Sequence, residues 1–289
     1  MSQFGIGLGL AGPPALRQNA ARYGPLARDY FAKVESGGGT VVDQHFTNAL
    51  LVELEQMGIY DDAVCIVGPR LGNTLRPDSG DLFVSKAWDA SPQQGHFEQE
   101  AEVNQPKLEG NDWNFAGDKW LPGDSLAGQA LSEATQAAMW EVMRSLDTGS
   151  IVRMTYRYIN GDSRFDQNSQ SGPRWRYFAR NSSEDTDSFD LATADMPEDG
   201  NYFIGGQRWD GTSQIAQRES TIIGTRPRDI GQFAGGQGAA VIGAREDGDR
   251  WHFNDLYRLC IVWESDPGKA AWDALSDFVK AKYPTMPTS

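Results

Sequence analysis

Residues 29–68 read DYFAKVESGGGTVVDQHFTNALLVELEQMGIYDDAVCIVG and contain the clearest succession of structural signals in the chain. Apolar residues recur at helical spacing on both sides of the triple glycine at 37–39, a signal that ends helices. Asp43 stands where the N-cap of a second helix is expected, and Gly58 stands where that helix should end. The apolar run Ala63–Val67 then has the length and composition of a buried strand. The stretch therefore predicts a helical hairpin that leads into a β-sheet.

The rest of the chain predicts mostly strands, because short apolar or alternating runs are separated by Gly, Asp and Pro turns at close intervals. The predicted strands lie near residues 82–84, 96–103, 151–159, 175–179, 202–204, 220–223, 239–242 and 257–263. Asn160-Gly161 is a strong hairpin signal and predicts that 151–159 pairs with 175–179. This pattern indicates a mainly β fold.

The predicted organisation has three parts. Residues 1–25 are an N-terminal arm, because their apolar, Gly-rich sequence cannot bury its own side chains. Residues 26–60 form the helical hairpin. Residues 61–289 form one large β-sandwich, and helical spacing within it predicts a helical insertion near 126–146 and a C-terminal helix at 269–282.

Two segments resemble a family of bacteriophage virion proteins of the tail-fibre and head-fibre type. One is residues 29–68, and the other is residues 100–121, EAEVNQPKLEGNDWNFAGDKWL. In that family such segments lead into a concanavalin-like, laminin-G-like jelly-roll domain. The resemblance implies a jelly-roll β-sandwich and a location in the virion, and neither segment carries a catalytic signature.

Charge and composition limit the partners. The formal net charge is −14, from 40 acidic and 26 basic residues, which argues against nucleic acid and against an anionic membrane surface. The apolar run at 4–16 is too short for a membrane span and lacks the basic start of a signal peptide. We expect residues 1–25 to dock on other virion proteins and the chain to form a homo-oligomer in the particle.

Three acidic residues, Glu98, Glu100 and Glu102, alternate along a predicted strand. Some jelly-roll glycosidases place two catalytic carboxylates in this way, so the pattern is compatible with a glycan depolymerase. The intervening Gln99 and Ala101 are not the bulky apolar residues expected behind a catalytic strand. A solvated acidic face is the preferred interpretation, and no catalytic residue is assigned.

Two further groups leave alternatives open. Asp185, Asp187 and Asp190 place oxygen ligands in one loop that could hold calcium, although a solvated acidic loop is the simpler interpretation. Cys65 and Cys260 lie in apolar runs typical of buried, reduced thiols, and a disulfide between them stays open. No metal or other cofactor is predicted.

Aromatic residues beside arginines supply the candidate carbohydrate-binding site. The residues are Trp175, Tyr177, Trp209 and Trp251. Exposed aromatic faces stack on sugar rings, whereas the same alternation in a strand also places aromatics in a core.

Together with the residue patterns, the resemblance implies a non-enzymatic virion protein in which a lectin-like sandwich binds a host surface glycan. A tail-associated fibre or receptor-binding component is favoured. A head fibre or decoration protein, a glycan depolymerase and an assembly protein without a ligand are the alternatives.

Overall fold

The computed structural model describes residues 22–144, 153–170, 174–181, 189–192, 201–244, 253 and 255–283. The predicted arm at 1–25 lies almost wholly outside the described residues. Within them the α-helices are α1 (Pro25–Ser36), α2 (Gln44–Gln56) and α3 (Gly268–Lys282). The predicted helical hairpin and C-terminal helix are therefore confirmed.

The described strands form two antiparallel sheets. The larger sheet contains, in spatial order, β1 (Thr40–Val41), β3 (Gly72–Asp78), β4 (Asp81–Trp88), β6 (Lys107–Glu109), β7 (Asp112–Asn114), β18 (Leu256–Trp263), β9 (Ala137–Arg144), β14 (Tyr202–Trp209), β15 (Ser213–Arg218) and β16 (Thr221–Pro227). Two short strands lie outside this order: β2 (Ala63–Val67) pairs with β18, and β5 (Phe97–Glu98) pairs with β4. The smaller sheet contains β13 (Phe189–Ala192), β12 (Arg174–Arg180), β11 (Ser163–Gln170), β10 (Arg153–Asn160), β17 (Ala239–Ile242) and β8 (Leu121–Pro122). The architecture is the predicted jelly-roll β-sandwich.

The helical hairpin forms for the reasons that its sequence indicates. Pro25 occupies the first turn of α1, where its missing N–H leaves no hydrogen bond unmade. The Asp43 carboxylate accepts a hydrogen bond from the Phe46 backbone N–H at 2.9 Å and caps α2. Gly58 follows that helix with φ +70, a conformation that glycine adopts without steric cost.

The central strands of the larger sheet are buried on both faces, and β9 shows how. Met139 and Met143 belong to the core between the two sheets. Trp140 and Val142 belong to a second core, between the larger sheet and the helices. The helices therefore cover the outer face of the larger sheet. The fold has three layers, which are the helices, the larger sheet and the smaller sheet.

The predicted helical insertion near 126–146 is wrong. Residues 137–144 form β9, and the segment before them contains only a short 3-10 turn, Ala127–Gln129. A strand buried on both faces has a continuous apolar sequence, which periodicity alone does not distinguish from a buried helix. The run AAMWEVMR is such a strand.

The predicted partner of the first hairpin strand is also wrong. β10 pairs with β11 at the Asn160–Ser163 register, whereas residues 175–179 lie in β12, one strand further along the sheet. The sequence of β11, SRFDQNSQ, is polar and gave no strand signal. Its Asp166 and Gln167 are nevertheless fully buried.

Alternating arginine and aromatic side chains attach the end of α3 to the sheet. The guanidinium of Arg258 lies 3.3 Å from the ring centroid of Tyr202 and 5.0 Å from that of Tyr283. Arg70 lies 4.8 Å from the ring centroid of Tyr283 and donates to the Lys282 carbonyl at 3.2 Å. Cation–π contacts and a charge-assisted cap thus stabilise the end of α3.

Cys65 and Cys260 lie on the neighbouring strands β2 and β18 as free, buried thiols. Burial raises the pKa of both thiols.

Candidate functional site

The structure places two of the four predicted carbohydrate-binding residues in the core. Tyr177 and Trp209 are both 0% exposed, and both belong to the core between the sheets. The Trp209 indole donates to the Arg228 carbonyl at 2.9 Å. Neither ring can stack on a sugar, so the prediction is wrong for these two residues. Trp175 belongs to β12, and Trp251 lies outside the described residues.

The acidic residues of the depolymerase alternative do not share a strand face. β5 ends at Glu98, and Glu102 begins a 3-10 turn. The strand stops because the Gln99 side-chain carbonyl accepts a hydrogen bond from the Ala101 N–H at 3.0 Å, a local turn that competes with strand pairing. Glu98 forms an ion pair with Lys86 at 3.0 Å.

Across the part of the chain that the structure describes, no three His, Cys, Asp or Glu side chains form a group able to hold a metal ion. Of the residues in the calcium hypothesis, Asp185 and Asp187 lie outside the described residues. Asp190 belongs to β13.

Sequence patterns do not predict the buried carboxylate Glu141. It lies on β9, faces the smaller sheet and is 0% exposed. The Thr155 hydroxyl donates to it at 2.7 Å, and the Gln167 amide and Tyr257 hydroxyl also donate. Burial raises its pKa to about 7, although these hydrogen bonds lower it. With no exposed face, Glu141 joins the two sheets and has no access to a substrate.

A surface cleft of about 240 Å³ lies between α1 and the loop that follows β4. We call it the α1 cleft. One wall is formed by Leu26, Asp29, Tyr30 and Lys33, and the other by Tyr60 with Asp89, Ala90, Ser91 and Gln94 of the loop. The helix residues are spaced i, i+3, i+4 and i+7, so they share one helix face. Loop and helix therefore bring residues more than 50 positions apart into one concave site.

Hydrogen bonds hold the two walls in position. The Tyr30 hydroxyl donates to the Trp88 carbonyl at 2.7 Å and accepts from the Gly72 N–H at 2.8 Å, which fixes α1 to two strands of the sheet. The Tyr60 hydroxyl donates to the Ala90 carbonyl at 3.1 Å. The cleft is therefore largely preformed.

Asp89 organises the floor of the cleft. One carboxylate oxygen accepts from the Ile66 and Ser91 backbone N–H groups at 2.7 and 2.8 Å, and the other accepts from the Ser91 hydroxyl at 2.6 Å. Burial raises the pKa of Asp89 to about 7, against the opposing effect of these donors. Asp89 therefore shapes the loop and leaves ligand contacts to its neighbours.

At the mouth of the cleft, Lys33 crosses from helix to loop. Its ammonium group donates to the Gln94 side-chain carbonyl at 2.8 Å, and burial lowers its pKa. Asp29 is exposed on the same helix face. The cleft thus presents an ammonium group, an amide and a carboxylate around an aromatic ring, an arrangement suited to binding and without a nucleophile–base pair.

The comparisons with known proteins identify the fold. No protein-family model matches the sequence, and no curated protein matches it. Among solved structures, the binding domain of botulinum neurotoxin DC matches in complex with rat synaptotagmin II, with TM-score 0.54 and 8% identity over 76% of this chain and 52% of that one. The same domain in complex with SialylT matches with TM-score 0.53 and 6% identity, over 76% of this chain and 52% of that one. The chain shares the β-sandwich fold of these binding domains.

A third structure, of botulinum neurotoxin type C, matches with TM-score 0.54 and 8% identity over 78% of this chain and 53% of that one. Cell entry of that toxin depends on interaction with two ganglioside molecules. The matched region spans about half the length of each toxin domain. None of the helices in the described ranges combines the length and apolar character that a membrane span requires.

Proposed function

We propose that this protein is a non-enzymatic bacteriophage virion component whose β-sandwich binds a glycan on the host surface. The observation that carries the binding role is the shared fold with receptor-binding domains, two of which are described with a sialyl ligand or with gangliosides. A fold does not fix a function, so the likeness supports a class of ligand and leaves the ligand itself to experiment.

The virion location rests on the two segments that resemble phage tail-fibre and head-fibre proteins, residues 29–68 and 100–121. Residues 1–25 would attach the protein to other virion proteins, with several copies in one particle. A tail location is favoured because attachment to a host surface is a tail function in such particles. A head fibre or decoration protein is the second candidate, since the same segments support it equally.

Support for binding without hydrolysis comes from the carboxylates. Glu98 and Glu102 lie on a strand end and a turn, and each is paired with a cation, Lys86 at 3.0 Å and Arg76 at 3.7 Å. A glycosidase needs two carboxyl groups facing one sugar, with one of them protonated at working pH. The buried Glu141 has the raised pKa but no access to a substrate.

Phage particles test the virion role. A chain that lacks residues 1–24 should remain soluble and folded but should not be incorporated when it is supplied to particles assembling without the wild-type protein. Full-length protein supplied in the same way is the control. Normal incorporation of the truncated chain would contradict attachment through the arm, and absence of the full-length chain from purified particles would contradict the virion role.

The depolymerase alternative has its own test. Purified protein is incubated with host polysaccharide, and chain length is followed by size-exclusion chromatography. We expect no cleavage by wild-type protein. Cleavage that disappears in folded Glu98→Gln and Glu102→Gln variants would replace the binding proposal with an enzyme.

A further inference from the structure

The α1 cleft is a concave site in the described residues that combines a fixed shape with polar groups available to a ligand. We infer that the α1 cleft binds a single neutral sugar ring, with Tyr60 as the stacking face and Asp29, Lys33 and Gln94 as the hydrogen-bonding groups. This inference rests on the proposed function, because it assigns the glycan to a place in the structure.

Size is the first argument. The cleft measures about 240 Å³, whereas pockets for drug-sized ligands measure roughly 300–1,000 Å³. One ring with its hydroxyl groups suits this volume, and an oligosaccharide does not. The remaining units of a longer glycan would leave the cleft through its mouth, beside Lys33 and Gln94.

Charge is the second argument. A simple anion would meet the carboxylate of Asp29, and a simple cation would meet the ammonium group of Lys33. A sugar hydroxyl both donates and accepts hydrogen bonds, so it can bond to a carboxylate and an ammonium group at the same site. The mixed lining therefore favours a neutral polyhydroxylated ligand over either ion.

The third argument is which groups are already engaged. Asp89, Ser91 and the Tyr30 hydroxyl bond to one another or to the backbone and hold the shape of the site. Lys33 uses one of its three N–H donors on Gln94, which leaves the others to face a ligand. Tyr60 is half-buried, and its hydroxyl is fixed to Ala90. A fixed aromatic ring can stack on a sugar with little loss of side-chain entropy.

The loop geometry agrees with a preformed site. Gln94 has φ +61, a left-handed conformation that non-glycine residues seldom adopt. Its backbone N–H approaches the Ser91 hydroxyl at 3.4 Å, and its side chain receives the Lys33 ammonium group. The Gln94 amide is thus held over the mouth of the cleft.

The test titrates the full chain with glucose, galactose, mannose, N-acetylglucosamine and rhamnose, and follows binding by ligand-observed NMR. We expect at least one of these sugars to bind weakly. Asp29→Asn and Tyr60→Ala should each weaken its binding by roughly tenfold or more, the size of effect expected for a lost charged hydrogen bond or stacking face.

Two controls separate binding from folding. Asp277→Asn makes the same charge change on the exposed surface of α3, away from the cleft, and should bind as wild type does. Tyr60→Phe keeps the ring and removes only the hydroxyl, so it should retain most of the binding if Tyr60→Ala lowers stability. Thermal melts of all four variants show whether each is folded at the assay temperature.

The outcomes distinguish this inference from the proposed function. Sugar binding that is unaffected by Asp29→Asn and Tyr60→Ala would contradict a sugar site in the α1 cleft and would mean that the glycan binds elsewhere on the protein. Binding of multivalent protein to host glycans without any monosaccharide binding would also contradict a sugar site in the α1 cleft, but it would leave the proposed glycan-binding function standing. Loss of sugar binding in both Asp29→Asn and Tyr60→Ala, with wild-type binding in Asp277→Asn, would support the α1 cleft as the sugar site.

Discussion

Replacement of Glu141 by Gln should change how stability depends on pH. Burial raises the pKa of this carboxyl from 4.5 to about 7 in the folded protein. The folded state therefore favours the protonated form, and the stability linked to that proton is fully present below pH 4.5 and is lost as the pH rises through 7. Gln does not titrate, so the variant lacks this dependence.

The magnitude follows from the two pKa values. One pKa unit corresponds to about 1.4 kcal/mol, so the rise from 4.5 to about 7 corresponds to about 3 kcal/mol. Relative to wild type, the free energy of unfolding of Glu141→Gln should therefore increase by about 3 kcal/mol between pH 4.5 and pH 8. Asp89, whose pKa is also about 7, is present in both proteins, so its titration cancels in the difference.

The assay is urea unfolding of both proteins at pH 4.5, 6, 7 and 8, with the difference in free energy plotted against pH. Glu55→Gln, which makes the same change at an exposed position of α2, is the matched control. A constant difference between Glu141→Gln and wild type across this pH range would refute the reasoning. That result would mean that the hydrogen bonds from Thr155, Gln167 and Tyr257 offset the free-energy cost of burying the ionised Glu141 carboxylate.

Three further predictions concern the fold. Arg258→Ala should lower the free energy of unfolding by about 3 kcal/mol or more, because it leaves the buried Asp112 without its 2.7 Å ion pair. In the same urea titration, Lys269→Ala removes the exposed ion pair with Asp273 and should lower the free energy of unfolding by under about 1 kcal/mol. Gly161→Val should cost at least about 1–2 kcal/mol because φ at this turn is +57, and Gly161→Asn should cost less. Cys65 and Cys260 should react with a thiol reagent only in denaturant, and reaction of the native protein would contradict their burial.

The sequence predicted the elements whose signals are local. The N-cap at Asp43, the glycine at 58, the apolar run of β2 and the turn at Gly161 each depend on a few neighbouring residues, and each appears in the structure. β9 was missed because its two apolar faces pack on different cores. β11 was missed because most of its buried residues are polar, and a partner of one of them, Glu141, lies on the other sheet.

The candidate site was harder to predict, because burial and proximity are properties of the tertiary structure. Tyr177 and Trp209 have the same local pattern as exposed sugar-binding aromatics, and only the packing of the two sheets places them inside. The α1 cleft combines a helix face at 26–33 with Tyr60 and a loop at 89–94, and no motif links them. Helical spacing did identify α1, but it could not show what faces Asp29 and Lys33.

Binding of the multivalent protein to host glycans is the most direct test of the central claim. The protein is displayed in many copies on a bead and applied to a glycan array and to host cells, beside the monomer at equal chain concentration. Weak single sites gain avidity when several act together, so we predict a clear signal from the beads that fades for the monomer and is competed by the free glycan. If the beads bind neither glycan nor host cell, while particles that lack the protein assemble poorly, recognition is the wrong function and assembly is the right one.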